Sequence, residues 1–173
     1  ALYIEDPNHT MQKVYLDDEV YEAALRSFVI VCTDAVPVNL EKGLIYLAKR
    51  RRKPMQGWWW IGGRMFAGEL PEQSIQRCFR RETSLDLLEK RFTLFRMNRY
   101  LWKDRAQEPQ DIGSDNFGYT YAVELSPDEL GVAALNLDPG EYERETGLQV
   151  FDLDRLLRER VHPAILDMYK QVF

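Results

Sequence analysis

The sequence has few groups that bind metal or react through sulfur or imidazole. Among 173 residues it holds two cysteines, Cys32 and Cys78, and two histidines, His9 and His162. The cysteines supply neither a disulfide framework nor a CxxC metal pair, and the histidines are too few for a zinc site. A reducing, cytoplasmic setting is the expectation. No run of about eighteen apolar residues occurs, so no membrane span or membrane partner is expected. The stretch ALYIEDPNHT carries acid and no apolar signal-peptide core, so no signal peptide is expected. There is no internal repeat and no low-complexity tract. Positive charge is also short: the formal net charge is −5, which argues against a nucleic-acid partner. A small phosphorylated ligand needs only one local basic pocket, so that class stays open.

What is present reads as globular. Hydrophobic residues make up 45% and charged residues 29%. The length suits a single domain over 1–173 with a sizeable core. Residues 1–16 read as an irregular lead-in, and Asp17 to Leu25 as a short helix with acids in its first turn. Ser27 to Val38 and Gly43 to Arg50 read as a hairpin of two strands around the turn at Asn39. Pro71 to Leu85 is a helix whose Ile75, Cys78, Phe79 and Glu82 share one face at i, i+3, i+4 and i+7. Proline suits its first turn, but Leu70 is a poor N-cap. Phe92 to Lys103 and Phe117 to Leu125 read as strands, with a polar loop, Asp104 to Asn116, between them. Ser126 to Glu129 has capping-box spacing before a very short helix. A strand at Gly147 to Leu153 precedes helices at Asp154 to Glu159 and His162 to Val172. This order predicts an α/β fold, a mixed sheet sandwiched between helices.

Three of the four tryptophans stand together in Met55-Gln-Gly-Trp-Trp-Trp-Ile-Gly-Gly-Arg64. On a strand Trp58 and Trp60 point one way and Trp59 the other, so one face can fill the core while the other meets a pocket. After the tryptophans, Gly63, Glu69, Arg77, Phe79, Glu82 and Leu85 fall in the register of the Nudix box. That box reads G, five residues, E, seven residues, then R-E-U-x-E-E-x-G-U, with U bulky and apolar. The chain is therefore similar to the Nudix hydrolases, with a degenerate box over 62–85. Cys78 and Arg81 stand where the box has glutamates, and Ser84 where it has glycine. A register one helical turn later leaves Asp86 as the only acid near the later glutamate positions and is set aside. Ile61 stands where the family often has proline.

Within the family the chain most resembles the GDP-mannose mannosyl hydrolase branch, which also keeps the arginine and only the last helical glutamate. The run Lys49 to Trp59, the strand aspartate Asp34 and the segment Gly113 to Tyr121 look like that branch. The resemblance implies a Nudix fold and a Mg2+ (or Mn2+) ion held by the Gly62 carbonyl, Glu82 and a side chain near Glu141. It implies that Arg50 and Arg64 hold a diphosphate, that Arg77 orients the box acids with Glu69, and that Asp34 contacts ligand. Trp58 is the tryptophan expected to contact substrate. Tyr142 stands at about the position of the branch's histidine base, although a tyrosine of ordinary pKa near 10 is a poor base at neutral pH. Arg64 and Glu82 complete the expected catalytic set. The implied function is hydrolysis of a nucleoside diphosphate-linked substrate such as a nucleotide sugar. Two alternatives stay open: a nucleotide-binding module with impaired catalysis, and a nucleoside di- or triphosphate pyrophosphohydrolase. Relatives of the branch are dimers, so a homodimer is among its implications.

For several of these residues a plainer role competes. Arg51, Arg52 and Lys53 fit an exposed turn, and Cys78 a small buried hydrophobe rather than a nucleophile. Glu69 fits a structural partner of Arg77. Asp34, inside an apolar strand, needs a partner because an unpaired buried carboxylate is costly; Arg50 and a ligand are both candidates.

Overall fold

The computed structural model describes residues 3–6 and 8–173. The expected lead-in over 1–16 falls partly on residues 1, 2 and 7, which lie outside the described residues; the rest of it forms neither helix nor strand. The first helix, α1 (Asp18–Ser27), starts where the Asp17 carboxylate accepts a hydrogen bond from the Val20 amide at 2.9 Å. Strands β1 (Ile30–Asn39) and β2 (Leu44–Arg50) form the expected hairpin. Its turn closes with Gly43 at φ +61°, in the left-handed region that suits glycine.

The tryptophan run forms two short strands, β3 (Gly57–Trp59) and β4 (Ile61–Arg64), broken at Trp60. Helix α2 (Pro71–Thr83) follows, then β5 (Thr93–Trp102), β6 (Ser114–Glu124), α3 (Pro127–Leu135), β7 (Leu148–Phe151), α4 (Leu153–Arg158) and α5 (Pro163–Val172). The very short helix expected after Ser126 is in fact nine residues long, opened by a capping box between Ser126 and Glu129.

The strands form one mixed sheet of seven, ordered β3-β2-β1-β6-β5, with β4 paired to β1 and β7 to β2. β1 runs parallel to β6 and antiparallel to its other neighbours. Side chains alternate along each strand, and both faces are covered. Ala35, Ala48 and Ile61 meet Ile75 and Phe79 of α2 on one face. Val36, Val38, Ile45 and Leu47 meet Leu156, Ile165 and Met168, from α4 and α5, on the other. The sheet is therefore the expected mixed sandwich. Among the described residues no helix is long and apolar enough to cross a membrane.

Helix α2 buries the face read from its spacing: Ile75, Cys78, Phe79 and Glu82 are all buried. Leu70 makes no side-chain cap; instead its amide donates to the Gln73 side chain at 3.1 Å. The helix ends before the predicted Leu85, because Ser84 adopts φ +61° and turns the chain out. A buried hydroxyl pair, Thr33 and Ser74 at 3.0 Å, ties α2 to β1.

Candidate active site

The register of β1 and β4 sets one side of the site by placing Asp34 opposite Gly62. A side chain on Gly62 would collide with the Thr33 carbonyl oxygen and the Asp34 carboxylate, so only glycine permits this approach. Along β2, Arg50 reaches the strand end and pairs with Tyr142 as an isolated bridge. Backbone bonds from Arg51 N to Glu141 O and from Glu143 N to Lys49 O, both 2.8 Å, dock the 141–143 loop on β2. The last turn of α2 adds Arg81 and Glu82. The result is a cleft of about 240 Å³ lined by Asp34, Arg50, Gly62, Gly63, Arg64, Arg81, Glu82 and Glu141, among others.

Six basic side chains line this cleft: Arg50, Arg52, Lys53, Arg64, Arg81 and Arg105. They face three carboxylates, Asp34, Glu82 and Glu141. A chain with a net charge of −5 thus concentrates positive charge in one place. The Nε of Arg50 is buried without a hydrogen-bond partner. Burial pushes the Asp34 carboxyl up to about 7; the charge of Arg50 opposes this and that of Glu82 adds to it. Of the two roles open to Asp34, pairing with Arg50 is electrostatic across the cleft.

Arg52 and Lys53, read as an exposed turn, line the cleft. Arg52 also donates to Glu141 at 3.3 Å. The loop after β5 brings in Arg105, which is only 1% exposed. Its guanidinium donates to the Pro109 carbonyl at 3.0 Å and to Glu22 of α1 at 2.9 Å, fastening the loop to that helix. Nothing in the loop's polar composition separates this arginine from its exposed neighbours.

The aromatic wall differs from the sequence expectation. Trp58, not among the lining residues, packs on Phe151 with ring centroids 5.0 Å apart. Trp59 lines the cleft with Tyr100 and Trp102. The break at Trp60 resets the strand alternation, so Trp59 and Trp60 are both buried. Tyr100 and Trp102 lie 5.1 Å apart at 10°, a parallel pair on one face of β5. Their i, i+2 spacing on a predicted strand was the available signal.

Glu69 and Arg77 stand apart from the cleft and form a structural clasp. Arg77 donates from Nε to Glu69 Oε1 at 2.7 Å and from Nη2 to Oε2 at 2.8 Å. Arg77 Nη2 also donates to the Arg64 carbonyl at 2.9 Å, and Glu69 accepts from the Phe66 amide at 2.9 Å. The clasp therefore holds the chain between β4 and α2. Arg64 itself lies over the Tyr21 ring, 4.6 Å from its centroid. Cys78 is fully buried and its thiol is raised chiefly by burial, as fits a small buried hydrophobe.

Tyr142 requires a correction as a base. It is buried at 1% exposure, and its hydroxyl donates to Glu82 Oε2. Burial, and then the charge of Glu82, push its pKa well above 10, so it holds its proton. The expected metal ligands are also engaged. Glu82 is 1% exposed, with Oε1 paired to Arg81 and Oε2 bonded by Tyr142. Glu141 accepts from Arg50 at 2.9 Å and from Arg52 at 3.3 Å. Among the described residues no group of three acidic, histidine or cysteine side chains gathers to hold a metal ion. As packed, these carboxylates do not fit a divalent cation, because Arg81 and Tyr142 occupy the Glu82 oxygens and Arg50 and Arg52 those of Glu141.

Comparisons with known proteins agree with the fold. A MutT NUDIX hydrolase from Burkholderia pseudomallei is 23% identical, with a TM-score of 0.63 over 85% of this chain and 100% of that one. A MutT protein from Methanosarcina mazei Go1 is 14% identical, with a TM-score of 0.57 over 83% of this chain and 92% of that one. The C. elegans Ap4A hydrolase is 10% identical, with a TM-score of 0.51 over 83% of this chain and 96% of that one. Comparison with curated proteins gave no significant match. The NUDIX domain family model matches residues 30–172, most of the length, and the chain belongs to that family.

Proposed function

We propose that the protein hydrolyses a nucleoside diphosphate-linked small molecule, of the nucleotide-sugar kind, in this cleft. Family membership and the Nudix hydrolase among its structural neighbours support a hydrolase. The observation that carries the substrate class is the gathering of Arg50, Arg64 and Arg81 in one cleft of an otherwise acidic chain. Guanidinium groups present paired N–H donors that match phosphate oxygens. The buried, unpartnered Nε of Arg50 is a donor that a phosphate would satisfy. Tyr100 and Trp102, stacked on each other, line the same cleft and offer aromatic surface to a base. Asp34, opposite Gly62, lines the same cleft and would contact the ligand.

A screen of nucleotide sugars, dinucleotides and nucleoside triphosphates tests this, each with and without magnesium. Turnover of a nucleoside diphosphate-linked compound is expected. Running the productive reaction in 18O-labelled water then separates attack at the sugar carbon from attack at phosphorus. A second reading, a binding module of the same fold, is favoured by one observation: the protonated Tyr142 hydroxyl donates a hydrogen bond to Glu82 and is no base. Nucleotide-induced thermal stabilisation with no turnover of any compound would establish it.

A further inference from the structure

We propose that the Arg81 guanidinium is the fixed cation of this cleft, standing where the family resemblance places a metal ion, so that the cleft binds a diphosphate group without a divalent cation. This rests on the reading of the cleft as a diphosphate site. The resemblance draws its metal ligands from the Gly62 carbonyl, Glu82 and Glu141. Arg81 lies among the same elements. Its Nη2 is paired with Glu82 Oε1. The same atom would stand 3.1 Å from a Cβ placed on Gly63, so the missing side chain of that glycine makes room for the guanidinium. Glu82 and Glu141 both act on its charge.

The packing leaves no vacant ligand set at this place. The second Glu82 oxygen is taken by the Tyr142 hydroxyl. The Glu141 oxygens are taken by Arg50 and Arg52. A dication entering here would have to break these contacts and then sit beside a guanidinium of like charge. Half of the charge a dication would bring is already present on the side chain. A guanidinium has five N–H donors and cannot lose its proton near neutral pH, so the group paired with Glu82 keeps donors for a phosphate. Both line the cleft, Arg81 half-exposed and Glu82 buried. In this arrangement Glu82 and Tyr142 position Arg81, and Arg81 meets the ligand.

The test is calorimetric titration of the full chain with inorganic pyrophosphate, once in EDTA and once in millimolar magnesium. The expected result is binding in EDTA within about threefold of the affinity in magnesium, with no change in melting temperature from magnesium chloride alone. Arg81→Ala should weaken pyrophosphate binding in EDTA at least tenfold, and Arg81→Lys should restore most of it. Arg81→Glu should make binding depend on magnesium. Binding seen only with magnesium would overturn the proposal. So would an undiminished affinity in Arg81→Ala, or no binding in either buffer. If Arg81→Ala does not fold, the wild-type comparison of the two buffers decides alone. Nucleotide-sugar turnover accompanied by strictly magnesium-dependent pyrophosphate binding sinks this inference and leaves the proposed function standing. Metal-free binding with no turnover of any nucleotide does the reverse.

Discussion

The environment of Asp34 departs far from that of an ordinary surface carboxylate. Its pKa of about 7 in the folded chain, against an unfolded value near 3.8, makes stability depend on pH in a fixed direction. Because the folded value is raised, its contribution is full below about pH 4 and is lost as pH rises through 7. Asp34→Asn is therefore predicted to stabilise the protein at pH 8, by about 1–3 kcal/mol, with the difference closing toward pH 4. Urea denaturation at a series of pH values measures this, and a difference independent of pH would contradict it. At this scale the sequence conveyed residue types well and directions poorly. Asp34, Arg50, Arg64 and Glu82 were all legible as site candidates, and the fold brings them to one cleft. Arg81 was legible only as a charge in place of a carboxylate. That its guanidinium folds against Gly63 and pairs with Glu82 depends on side-chain direction, which spacing does not encode.

At the scale of elements, α2 carries two further expectations. The Glu69–Arg77 clasp holds the approach to the helix. Burial alone would raise the Glu69 carboxyl, but the Arg77 hydrogen bonds, the Phe66 amide and Lys13 together bring it down to about 2. A lowered carboxylate gives stability that is present above the unfolded value near 4.5 and lost as pH falls toward 2. Glu69→Gln should therefore destabilise the protein most near neutral pH, and its deficit should shrink between about pH 5 and pH 2 in thermal melts. The other end of α2 stores a small backbone cost, since Ser84 sits at φ +61°. Ser84→Gly is predicted to stabilise by about 0.5–1 kcal/mol, read from the urea midpoint at unchanged m-value. The face of α2 was readable because a 3.6-residue period survives any tertiary context. The assignment of Trp58 and Trp59 was not, because it assumed unbroken alternation. A one-residue break at Trp60 reverses which ring meets the cleft. The length of α3 was underestimated for a related reason: capping spacing marks where a helix starts but not where packing lets it stop.

For the whole molecule, the family and the sandwich fold were legible because the box residues over 62–85 are a local signal and strand-helix order is one spread along most of the chain. The cleft was less legible, since it is assembled from β1, β2, β4, α2 and the 141–143 loop. A nucleoside diphosphate is expected to sit in this arginine-lined cleft. The direct measurement is a crystal structure with GDP bound. The diphosphate is expected within hydrogen-bond distance of Arg50 and Arg64, with the base against Tyr100 and Trp102. GDP lodged instead in the separate cavity lined by Phe66 and Glu69, or with its phosphates out of reach of both arginines, would contradict it.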